Sequence, residues 1–115
     1  MITKNDEDAV FQALAHVVRR TILDLVQENP GQTVGELASK FDVSRIAVMN
    51  HLAVLESAGL IVSEKEKRSR RVYLNPMPIQ LIYDRWTDQY SAYWSDRVAS
   101  IKYKAERAAI QEKKP

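Results

Sequence analysis

Apolar residues recur at helical spacing from Asp6 to Glu28: Val10, Phe11, Leu14, Val17 and Val18, then Ile22, Leu23, Leu25 and Val26. The spacing predicts two helices with a bend near His16. Asn29-Pro30-Gly31 stops the second, because a polar turn carrying proline cannot continue a helix. Thr33 followed three residues on by Glu36 is a capping box, in which each side chain accepts the other residue's free backbone amide. A short helix opens there, with Val34, Leu37, Ala38 and Phe41 as its buried face and its end at Asp42-Val43. Ser44 is a good N-cap for the next helix. Val48, Leu52 and Leu55 lie on one face of that helix at i, i+4 and i+7. Gly59 suits the left-handed conformation that ends it.

From Leu60 the period changes. Leu60-Ile61-Val62 and Val72-Tyr73-Leu74 flank the charged run SEKEKRSRR, and two β-prone apolar runs around a charged tip predict a β-hairpin. Asn75-Pro76-Met77-Pro78 breaks the chain. Ile79 to about Ile110 lacks glycine and proline and is helical in period, with an apolar stripe of Ile82, Trp86, Tyr90, Trp94, Val98, Ile101, Ala105 and Ala108. The expected architecture is mainly α with a small β-hairpin: a winged helix-turn-helix with a long C-terminal dimerisation helix. Residues 1–78 form the winged part and 79–115 the C-terminal helix of the same compact domain.

Composition narrows the function classes. The 115 residues fit one domain, and a net charge of +2 is too small by itself to imply nucleic acid; what matters is where the charge sits. The absence of cysteine removes disulfides, thiolate zinc sites and cysteine nucleophiles. The acidic, polar start MITKNDEDAV is unlike a signal peptide, and no run approaches the roughly 18 apolar residues of a membrane span. A cytoplasmic protein with no membrane association is expected. Two histidines, His16 and His51, lie 35 residues apart in different helices, so no metal site is expected and no cofactor. Only three glycines are present and no phosphate-cradling loop, and Asp84 and Asp88 are ordinary solvated helix carboxylates. No enzyme is expected.

The helix opened by Ser44 has a second face, carrying Arg45, Ile46, Met49 and Asn50. An arginine near a helix N-terminus can donate two bonds to guanine or reach a phosphate, and asparagine offers the donor–acceptor pair that adenine matches. Ile46 and Met49 can touch thymine methyl groups, or pack on a neighbouring helix. Placement on a helix that fits the ~12 Å major groove assigns Arg45 and Asn50 to bases. His51 is a hydrogen-bonding or phosphate-contacting residue. The hairpin tip holds Lys65, Lys67, Arg68, Arg70 and Arg71 against Glu64 and Glu66, a basic excess suited to a phosphate backbone, although the two glutamates oppose it unless they turn outward or pair with lysine. The aromatic C-terminal stripe calls for cover, which a second copy supplies most simply.

Three segments carry a family resemblance. FQALAHVVRRTILDLV resembles the first two helices of the ArsR-type winged-helix repressors, and VSRIAVMNHLAVLESAGLI resembles their recognition helix and entry into the wing. YLNPMPIQLIYDRW resembles one cysteine-free branch, whose genes often lie beside those of START-like (SRPBCC) proteins. The likeness covers roughly Phe11 to Trp94. It implies a homodimer built from the N- and C-terminal helices, with Val10, Leu14, Ile82, Trp86, Tyr90, Trp94 and Val98 as the expected interface. It also implies that Ser44, Arg45, Met49, Asn50 and His51 approach double-stranded DNA. Metal-sensing members carry cysteine pairs in the short helix or histidine and carboxylate ligands in the last one; here the former region reads TVGELASKF and the latter has no histidine. Relatives often have proline after the position of His16 and glycine at the wing tip. This chain has Val17-Val18 and Glu66-Lys67-Arg68 there.

The function expected is therefore a dimeric DNA-binding repressor that does not sense metal, with any small-molecule effector unknown. The competing class is a winged-helix module that binds protein and not DNA. An acidic or wholly apolar recognition face would favour that class, and this face is neither.

Overall fold

The computed structural model describes residues 2–87 and 92–112, with the backbone alone at 92 and 93. The elements run α1 (Lys4–Leu14), α2 (Val17–Glu28), α3 (Val34–Ala38), α4 (Arg45–Ser57), β1 (Ile61–Glu66), β2 (Ser69–Leu74), α5 (Met77–Thr87) and α6 (Ala92–Glu112). They fall into two compact units, Met1–Ile82 and Tyr83–Pro115.

The break expected near His16 is there, and its chemistry is explicit. Ala15 ends α1, and His16 takes an extended conformation in which its Nδ1 accepts the Val18 amide and caps α2. The orphan carbonyls at the end of α1 are taken up by two arginines of α2. Arg19 donates to the Ala13 and Gln12 oxygens at 2.8 and 2.9 Å, and Arg20 to the Leu14 oxygen at 2.7 Å. α1 begins earlier than the apolar period indicates, because Thr3 and Asp6 form a capping box of their own.

The capping box at Thr33 and Glu36 also forms, but α3 ends at Ala38, short of Asp42-Val43. The Ser39 hydroxyl donates to the Glu36 oxygen at 2.6 Å, and the following amides bond three residues back, tightening the turn. Val34 and Leu37 are buried from within α3, whereas Phe41 packs on the core from beyond its end.

β1 and β2 pair antiparallel from Ile61↔Leu74 to Glu66↔Ser69, so Lys67-Arg68 is a two-residue turn. Lys67 sits at φ +56, a left-handed conformation usually left to glycine. β2 has a second neighbour in the α2–α3 turn. The Gly31 amide donates to the Val72 oxygen at 2.9 Å, the Val72 amide to the Gln32 oxygen at 3.1 Å, and Thr33 bridges Arg71. Gly31 is required there: its φ is +84, and a Cβ would stand 3.1 Å from the Tyr73 hydroxyl.

The core of the first unit gathers Val10 and Ala13 from α1, Ile22 and Val26 from α2, Leu37 from α3, the Val48/Leu52/Leu55 stripe of α4, and Leu60, Ile61 and Val72 from the hairpin. Two residues expected at a dimer seam belong to it instead. Val10 is 1% exposed and Ile82 9%, so neither has area left for a partner; both period-matched positions point inward. Leu14 is partly buried against the same core. Gln32 is buried and satisfied, donating to the Leu25 oxygen at 2.8 Å and accepting from Lys40 at 3.1 Å.

The long helix expected from Ile79 to about Ile110 starts at Met77 and is recorded as α5 and α6, on either side of residues 88–91. Those residues, Tyr90 of the expected interface among them, lie outside the described ones. In the second unit the α6 side chains from Trp94 to Glu112 are all exposed. Trp94, Val98, Ile101, Ala105 and Ala108 fall on one face at alternating spacings of four and three. Among the described residues no helix is long and apolar enough to cross a membrane.

Candidate nucleic-acid interface

Ser44 holds the start of α4 by accepting the Ala47 amide at 3.1 Å, while Val48, Leu52 and Leu55 bury the inner face. That burial turns Arg45, Ile46, Met49 and Asn50 outward, and all four are exposed. Ile46 is 72% exposed, more than any other large apolar side chain among the described residues.

His51, next in sequence, turns inward. Its Nδ1 stands 3.2 Å from Nη1 of Arg19, and its ring lies 4.5 Å from that of His16. A guanidinium only donates, so Nδ1 accepts and the proton rides on Nε2. The two histidines that sequence separation holds apart are thus neighbours, because the α1–α2 corner packs on α4. Burial, then His16, then Arg19 depress the His51 pKa below the usual histidine range. The lone pair of each Nδ1 is already engaged, by Arg19 in His51 and by the Val18 amide in His16. Among the described residues no three His, Cys, Asp or Glu side chains cluster as metal ligands.

The hairpin divides its five cations. Arg70 pairs with Glu56 of α4 and donates to Ser63 at 2.9 Å. Arg71 pairs with Glu66 at 2.7 Å, which lifts its pKa, and donates to the Gly31 oxygen at 2.8 Å. Both were expected on phosphate; in this structure they brace the hairpin against α4 and the α2–α3 turn. The side chains of Lys65, Lys67 and Arg68 are exposed and make no ion pair or hydrogen bond among the described residues. The pairing of Glu66 with Arg71 also removes half of the acidic objection to a phosphate-facing tip. Sequence reasoning missed Glu56 and Arg19, whose partners lie 14 and 32 residues away. Neither partner is signalled by local spacing.

Arg45 runs back toward α3, with its Nη2 4.0 Å from where a Cβ on Gly35 would lie. It lines a cleft of about 240 Å³ together with Met49 of α4, Thr33 and Gly35 near the start of α3, and Arg68 and Arg70 of the hairpin. A helix-turn-helix whose outer face is exposed and whose wing tip carries free cations is thus in place. The family described as "Helix-turn-helix domain" matches residues 14–64. The HTH-type transcriptional regulator Rv2034 of Mycobacterium tuberculosis is 40% identical over 98 residues, covering 81% of this chain and 90% of its own length. The transcriptional repressor SdpR of Bacillus subtilis is 31% identical over 71 residues, covering 62% of this chain and 78% of its own. An ArsR-like transcriptional regulator from Rhodococcus sp. RHA1 superposes with a TM-score of 0.66 at 31% identity, over 88% of this chain and 93% of that one. The chain belongs to the ArsR family of winged helix-turn-helix transcriptional regulators. As in that family, it is a DNA-binding regulator of transcription, and its relatives are regulators and not enzymes.

Proposed function

We propose that this protein represses transcription as a homodimer that reads a specific duplex sequence without sensing metal. The observation that carries this is the outward face of α4, where Ile46 and Asn50 stand exposed beside a wing tip whose Lys65, Lys67 and Arg68 have no protein partner. α4 enters the major groove, Asn50 contacts a base edge and Ile46 packs on a thymine methyl. Lys65, Lys67 and Arg68 lie along the phosphates. Residues 1–78 form the DNA-binding part and 79–115 the dimerising part. The alternating stripe of α6, with Trp86 of α5, is the seam, because an apolar face of that length needs cover. The similarity to SdpR, a transcriptional repressor, supports repression. The lack of cysteine and the last helix's lack of histidine support the cysteine-free, non-metal-sensing branch, the one associated with START-like proteins. The protein works in the cytoplasm.

Selection of bound duplexes from a random library, followed by salt titration of the winner and of random DNA, tests the proposal. A sequence preference is expected, with log-log salt slopes of several units. Asn50→Ala costs about 1–3 kcal/mol on the selected duplex and little on random DNA. Absence of duplex binding at low salt refutes the proposal and leaves a protein-binding winged helix.

A further inference from the structure

We infer that Arg45 and Arg68 grip one backbone phosphate between them, so that Arg45 anchors the recognition helix instead of reading a base. The inference rests on the DNA-binding function proposed above and refines it. Helical geometry separates two exposed stripes on α4. Ile46 and Asn50 are four residues apart and share one; Arg45 and Met49 share the other. Met49 and Arg45 both line the cleft between α3 and the hairpin, so this second stripe faces the wing and not the groove floor. The Arg45 guanidinium lies beside Gly35, its Nη2 4.0 Å from where a Cβ there would stand, an ordinary van der Waals distance.

The charge in the cleft is unbalanced. Three guanidinium-bearing residues line it, and Glu56 neutralises only Arg70. Arg45 and Arg68, both exposed, have no carboxylate partner among the described residues and repel as like charges lining one concave cleft. A phosphate between them converts that repulsion into two charge-assisted contacts, and the planar fork of each arginine matches a pair of phosphate oxygens. Thr33 and Ser69 supply polar walls, as a hydrated phosphodiester needs. The arrangement makes the wing's angle on α4 matter for affinity, since the Glu56–Arg70 pair holds Arg68 opposite Arg45.

The test compares Arg45→Ala, Arg68→Ala and the double variant on the selected duplex and on random duplex across a salt series. Arg45→Ala is expected to weaken both duplexes by the same factor, and Arg45→Lys to recover part of the loss on both, through its charge but without the fork. The double variant is expected to flatten the log-log slope by about 0.9 per subunit, the value for one phosphate. A slope loss near twice that means separate phosphates and overturns the inference. Selective weakening of the preferred duplex by Arg45→Ala, with no rescue by lysine, makes Arg45 a base reader and also overturns it. Unchanged binding by every variant does the same. Failure of the unaltered protein to bind any duplex would instead sink the DNA-binding proposal and carry the inference with it. Unchanged far-UV circular dichroism shows that each variant folds.

Discussion

Replacing Arg19 with methionine isolates what holds the α1–α2 corner against α4. Methionine keeps an unbranched stem and a similar rotamer entropy, so the entropic terms nearly cancel. Three contacts disappear. The Ala13 carbonyl, in a part-buried setting, loses a charge-assisted donor at 2.8 Å, and an unpaired buried acceptor costs about 1–3 kcal/mol. The Gln12 carbonyl is exposed, so water takes its place at little cost. The part-buried His51 Nδ1 loses its donor at 3.2 Å, worth about 1 kcal/mol. The net expectation is about 2–3 kcal/mol of lost stability. Arg20→Met is the internal control: its one bond goes to the exposed Leu14 carbonyl, and exposed substitutions of this kind stay within about 0.5 kcal/mol. Urea denaturation at a fixed protein concentration measures both, because association would otherwise shift the midpoint. Arg19→Met should lower the midpoint by about 1 M or more with no change in slope. Equal losses for the two arginines would refute the reasoning, since the distinction rests wholly on burial of the Ala13 and His51 acceptors.

Because folding depresses the His51 pKa, the unfolded chain binds its proton first as pH falls; stability is therefore full above about 6.5 and declines below it. Urea midpoints from pH 7.5 to 5 should fall for the natural protein and more weakly for His51→Phe. Lys67→Gly removes a left-handed strain of about 1 kcal/mol and returns part of it as backbone entropy, for a net gain of about 0.5 kcal/mol. Differential scanning calorimetry should show Tm rising by about 2–4 °C. Trp94→Asp places a charge on the apolar face of α6, and sedimentation at micromolar concentration should shift toward monomer if that face is the seam.

Most of the winged helix was legible in local chemistry. Capping residues at Thr33 and Ser44, the stop at Asn29-Pro30-Gly31 and the period change at Leu60 each act within a few residues, so sequence spacing reports them directly. The exposed face of α4 followed from the same logic, because knowing Val48, Leu52 and Leu55 face inward leaves Ile46 and Asn50 outside. What escaped depends on tertiary neighbours. Periodicity marks Val10 and Ile82 as apolar but not which apolar surface claims them. Charge counting treats Arg68 and Arg70 alike, although the Glu56 carboxylate removes one from the pool. His16 and His51 become neighbours only when the α1–α2 corner closes on α4.

The stitch between the α2–α3 turn and β2 bears on modularity. The matched helix-turn-helix region stops at residue 64, inside β1 and before Val72. Yet Val72 both receives the Gly31 amide and donates to the Gln32 carbonyl, while its own side chain is fully enclosed. Cutting the chain at residue 64 strands those two backbone groups and opens a hole beneath the turn. The recognition helix cannot therefore be transplanted with its turn alone. An engineer moving DNA specificity between members of this family has to carry the strand through Leu74, or exchange only the outward side chains of α4 on an intact scaffold.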